Sequence, residues 1–100
     1  MRVKTDEYLA TLTENTAQAA LQAAQEARDE GGAPVGVAGN SFVAQNGSYS
    51  ITLNLNEGAN AQKVSEEVRK RVDLVNWTES FSGNSITWSL PSNVQTVMKN

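Results

Sequence analysis

The chain has 100 residues, 39% hydrophobic and 19% charged, with a formal net charge of −3. This size suits one core and a single domain over residues 1–100, and the balance fits neither a disordered chain nor a membrane protein. There is no cysteine and no histidine. Disulfides, thiolate zinc sites and haem attachment are excluded, the usual general base near neutral pH is missing, and no cofactor is expected.

The longest uncharged stretch, residues 31–56, is broken by Gly, Asn, Ser and Gln, and alternates. It does not read as a membrane-spanning helix. Residues 1–7, MRVKTDE, lack the apolar run of an export signal. A cytoplasmic chain without membrane association is therefore expected. The slight acidic excess gives no broad basic field for nucleic acid.

Residues 5–30 predict one helix. Thr5 precedes Asp6 and Glu7, which suit the positive end of a helix dipole. Thr11-Leu12-Thr13-Glu14 is also a capping-box sequence, but nothing between the two starts breaks the helix. Leu9, Leu12, Thr16, Ala20, Ala23 and Ala27 recur at helical spacing, and Ala10, Ala17, Leu21 and Ala24 widen the stripe. Such a helix is about 37 Å long, longer than the strands beneath it. Part of it is expected to overhang and offer Leu21 and Ala24 to a partner. Gly31-Gly32 is expected to end it through a left-handed glycine, and Pro34 forbids continuation.

Residues 41–55, SFVAQNGSYSITLNL, carry the clearest sheet signal. Asn46-Gly47 favours a two-residue type I′ turn, since both central residues need positive φ. Counting outwards pairs Gln45 with Ser48, Ala44 with Tyr49, Val43 with Ser50 and Phe42 with Ile51. Opposed residues share a face. Phe42, Ala44, Tyr49, Ile51, Leu53 and Leu55 thus fall on one side, and Val43, Gln45, Ser48, Ser50, Thr52 and Asn54 on the other. Gly39-Asn40 suits a II′ loop, which would pair Val37 with Phe42 and Val35 with Ala44, adding a short first strand.

Asn60 is placed to cap a second helix from residue 61 to about 75, with a seam of Val64, Val68, Val72 and Val75. Glu66 with Lys70 and Glu67 with Arg71 stand in the favourable i,i+4 order. Gly83-Asn84 predicts another hairpin, pairing Ser82 with Ser85, Phe81 with Ile86, Ser80 with Thr87, Glu79 with Trp88 and Trp77 with Leu90. Glu79 is then the exception on an apolar face and is expected near an edge. Pro91 stops the strand. Ser92 or Asn93 can start a short last helix carrying Val94, Val97 and Met98. Phe42, Phe81, Tyr49 and the tryptophans are expected to supply most of the core bulk.

These readings predict an α+β fold in the order α-βββ-α-ββ-α, with a five-stranded, mostly antiparallel sheet and helices on one face. Residues 20–36, ALQAAQEARDEGGAPVG, resemble the first helix and the start of the first strand of cytidine and tRNA-adenosine deaminases. That family needs a zinc-binding His-x-Glu and a Pro-Cys-x-x-Cys motif, and this chain has neither His nor Cys. The element order is similar to that of type III secretion chaperones, which implies a dimer that binds another protein.

The outer sheet face is almost wholly Ser, Thr, Asn and Gln. Ser50, Thr52, Ser80 and Thr87 there, with Leu21 and Ala24 on the first helix, are the candidate partner-binding residues. The expected function is that of a small non-catalytic interaction module: a chaperone, an assembly factor or an inhibitor. Its partner is another protein, which includes a second copy of itself. The first alternative is nucleic-acid binding through Lys63, Arg69, Lys70 and Arg71, against which the interleaved Glu66, Glu67 and Asp73 argue. The second is a ligand-binding or enzymatic domain using a carboxylate such as Glu79. The glycine-rich residues 31–36 follow a helix rather than precede one, so they lack the geometry of a phosphate loop.

Overall fold

The computed structural model describes residues 6–29 and 31–99. Thr5 and Glu30, the expected ends of the first helix, lie outside the described residues. Helix α1 spans Asp6–Glu26 and buries Leu9, Thr13, Thr16, Ala17, Ala20, Ala23 and Ala24. The two threonines are tolerated inside because their hydroxyls bond back to the helix: Thr13 Oγ1 donates to Leu9 O and Thr16 Oγ1 to Leu12 O, each at 2.7 Å.

The helix ends before Gly31-Gly32, and the glycines serve a different turn. An antiparallel bridge joins Arg28 to Pro34. The Asp29 carboxylate accepts from the amides of Gly31 at 2.9 Å and Ala33 at 3.0 Å. Gly32, at φ +83°, turns the corner. An Asx turn has taken these residues from the helix.

Strands β1 (Val37–Gln45) and β2 (Ser48–Leu55) form the first hairpin. Asn46 and Gly47 have φ of +52° and +80°, and the four pairs counted out from them are those observed. The expected loop at Gly39-Asn40 is absent. Val37 pairs with Leu55, not Phe42, while Gly39 and Asn40 lie inside β1 opposite Asn54 and Leu53. The reason is the length of β2. A turn at 39–40 would have left the Leu53–Leu55 end of β2 without a partner on that side, whereas a straight β1 pairs it, with one irregularity between Val37 and Gly39.

The sheet therefore has four strands, not five, in an α-ββ-α-ββ-α order. The lengthened β1 also removes the basis for an overhang. At 21 residues α1 is about 31 Å long, and nine residues of strand reach nearly as far. Buried side chains run along the helix from Leu9 to Ala24.

Helix α2 spans Ala61–Arg71, with Asn60 Oδ1 accepting from the Lys63 amide at 3.2 Å. It stops at Val72, whose backbone is extended, so the valine seam ends early and Val75 is 82% exposed. Strands β3 (Thr78–Ser82) and β4 (Ser85–Ser89) form the second hairpin in the expected register. Gly83 has φ +57° while Asn84 does not adopt positive φ, as a II′ turn requires. Trp77 and Leu90 are buried just beyond the paired residues.

The strand order is β1-β2-β4-β3, all antiparallel. Helix α1 lies on β1 and β2, and α2 beside it toward β4. Between these layers sit Tyr49, Ile51, Leu53, Ile86 and Trp88, each at most 2% exposed. Small alanines on α1 let the helix approach closely. Helix α3 (Ser92–Lys99) closes one end, where Gln95 Nε2 donates to Gly47 O at 3.0 Å and Leu90 O at 2.8 Å. Phe42 and Phe81 are corrections to the expected core: they are 43% and 39% exposed, because each sits on an edge strand. Val97 is exposed as well.

Candidate functional site

Glu79 is on edge strand β3 and faces the helices, as its place in the alternation required. One oxygen of its carboxylate is engaged there. Oε2 accepts from Ser65 Oγ of α2, from Trp88 Nε1 at 2.9 Å, and lies 3.3 Å from Arg69 Nε. Arg69 Nε also donates to Ser65 Oγ at 3.2 Å. Ser65 is completely buried, so this constellation offers no nucleophile to solvent. It clamps α2 to β3 and β4. Ser65 was not singled out from sequence; its i,i+4 spacing to Arg69, beside Val64 and Val68, is the signal that could have found it.

The basic residues are largely committed to neighbours. Arg69 pairs with Glu79, Lys70 with Glu67 at 3.3 Å, and Arg71 with Glu26 of α1. The expected Glu66–Lys70 and Glu67–Arg71 pairs are replaced by these, since Arg71 reaches across to α1. Lys63 lines an open cleft of about 790 Å³ between Ala27, Pro34, Val35 and the start of α2, where Arg28, Asp29, Glu57, Glu66 and Glu67 also lie. A smaller groove of about 290 Å³ runs beside Leu12, Val72, Trp77 and Met98. Among the described residues no helix is long and apolar enough to cross a membrane.

The outer sheet face brings four of the candidate residues together. One rung reads Ser41-Thr52-Thr87-Ser80 across the strands, and the next Val43-Ser50-Ser89-Thr78. Thr52 and Thr87 hydroxyls are 3.3 Å apart, and Ser85 Oγ donates to Asn54 Oδ1 at 2.5 Å. Part of this hydroxyl surface is thus bonded to itself. The other two candidates are on the far side of the sheet. Leu21 is half-buried on α1. Ala24 is wholly buried against the sheet and is not available to a partner.

A further feature escaped the sequence because it depends on strand order. Strand β1 has β2 on one side and, among the described residues, no strand on the other. In a two-residue hairpin the pair flanking the turn exchanges both main-chain hydrogen bonds, and alternate pairs follow. Gln45, Val43 and Ser41 therefore direct their N–H and C=O groups to β2, while Ala44, Phe42 and Asn40 direct theirs outward. Among the described residues none bonds these outward groups. Phe42 and Val43, 43% and 46% exposed, project from opposite faces of this edge. There is no charged residue and no proline in β1.

No family model, curated protein or solved structure matches this chain. The resemblances to deaminases and to type III secretion chaperones gain no support there.

Proposed function

We propose that this protein is a non-catalytic interaction module that recognises another polypeptide by accepting an extended strand on the outer edge of β1. The observation that carries this reading is the combination on one edge of outward main-chain groups at Asn40, Phe42 and Ala44 with two exposed apolar side chains and no charge. Unpaired edges of this kind template strand addition: main-chain bonds supply affinity and alternate side chains supply selectivity. The committed partners of Glu79 and of Arg69, Lys70 and Arg71 weigh against the carboxylate-based and nucleic-acid alternatives.

The test is to pan a displayed library of extended peptides against the full chain and map binders by amide hydrogen exchange. The expected outcome is binders of alternating polarity that protect the amides of residues 40, 42 and 44. Binders that protect only the 790 Å³ cleft or the outer hydroxyl face, leaving these amides unchanged, would contradict it.

A further inference from the structure

The edge that defines the proposed function is also complementary to itself, and we infer that its occupant is β1 of a second copy, paired antiparallel about a two-fold axis at Phe42. This inference rests on the strand-addition reading above and names the partner.

Three observations select it. The first is the extent of the free ladder. The outward groups begin at Asn40, because the pairing with β2 is irregular between Val37 and Gly39, and end at Ala44, because the turn starts at Asn46. Phe42 is the centre of that stretch. A two-fold axis there sets Phe42 opposite Phe42, and Asn40 of each copy opposite Ala44 of the other. Every outward N–H and C=O is then paired, as three residue pairs exchanging two bonds each. An axis at Ser41 instead sets Ala44 opposite Ala38, which lies in the irregular segment and has no partner in β2.

The second is the side chains. On the helix side the two exposed Phe42 rings meet across the seam, and on the outer side Val43 of each copy faces Ser41 of the other, so both exposed apolar residues of β1 gain cover. The third is charge. The chain carries a net −3, which opposes self-association in general, yet β1 contributes no charge to the seam. The product is an isologous pair with one continuous sheet through both copies. The contact is small, so association is concentration-dependent and in the micromolar range, as expected of interfaces at the low end of the size scale.

Sedimentation velocity of the full chain across the micromolar range tests this, together with three variants. A monomer–dimer equilibrium is expected. Ala44→Pro removes an outward N–H without touching the bonds to β2 and should abolish it. Phe42→Lys should weaken it at least tenfold. Since the chain has no cysteine, an oxidised mixture of Asn40→Cys and Ala44→Cys proteins should cross-link one to the other, and neither to itself. Should Ala44→Pro fail to fold, Phe42→Lys and the cysteine pair still decide the matter.

A monomer at every concentration, a dimer indifferent to Phe42→Lys, or self-linking of either single-cysteine protein would overturn the inference. A labelled synthetic peptide of residues 37–45 separates the two levels. If the chain stays monomeric but binds the peptide on β1, self-pairing fails and strand addition stands; if the peptide does not bind, both fail.

Discussion

The two edges of the sheet are built differently, and the difference is the ground for proposing β1 rather than β3 as the docking edge. Strand β3 is five residues long and carries Glu79 on its inward side. An inward-pointing charge and a short edge are devices by which sheets resist further pairing. Here the carboxylate is further tied to Ser65, Trp88 and Arg69, so a strand laid beside β3 would meet a clamped polar cluster. Strand β1 is nine residues long and uncharged, with Phe42 and Val43 left exposed. The clamp also fastens α2 to the sheet; β3 directs outward only the main-chain groups of Glu79 and Phe81, whereas β1 directs those of Asn40, Phe42 and Ala44.

The largest effect expected from breaking this contrast lies on the closed side. Glu79→Ala leaves Ser65 Oγ and Trp88 Nε1 without their acceptor and Arg69 without its ion-pair partner, and should lower the unfolding free energy by about 2–3 kcal/mol. Urea denaturation measures that loss, and self-association through β1 should stay unchanged. On the open side the pattern reverses. Phe42→Lys should raise the dimer dissociation constant by at least about tenfold, equivalent to roughly 1.4 kcal/mol, while stability at low concentration moves by about 0.5 kcal/mol or less, as for surface changes generally.

Two glycines sharpen the comparison further, since each precedes an asparagine and only one turns. Gly83→Ala places a side chain at φ +57° and should cost about 1 kcal/mol. Gly39→Ala enters an extended strand with no atom within 4 Å of the new Cβ, and should stabilise by about 0.5 kcal/mol. Thermal unfolding of the two variants separates them by sign.

That pair also shows how far the fold could be read from residues alone. Asn46-Gly47 and Gly83-Asn84 were legible because turn chemistry and apolar alternation agreed on both flanks, and the observed registers follow them residue for residue. Gly39-Asn40 has the same local chemistry as Gly83-Asn84, yet it runs straight because Leu53, Asn54 and Leu55 require partners. A dipeptide states what the backbone can do; the length of the neighbouring strand decides what it does. The early end of α1 has a similar origin, in the capture of two amides by the Asp29 carboxylate.

The candidate surface was less legible. Ser50, Thr52, Ser80 and Thr87 do share a face, as the alternation required, but Ala24 fell inside because every small residue of α1 toward the sheet is used for close packing. The free edge could not be found by periodicity at all. Which strand lies outermost is a property of topology: the second hairpin joins the sheet on β2, through β4, and not on β1, which leaves β1 at the edge.

Amide hydrogen exchange of the full chain at two concentrations, below and above the association midpoint, tests the central claim most directly. In the dilute sample the amides of Asn40, Phe42 and Ala44 should exchange far faster than those of Ser41, Val43 and Gln45, and in the concentrated sample the two sets should converge in protection. Equal protection of both sets in the dilute sample, or a dimer that forms without slowing residues 40, 42 and 44, would contradict it.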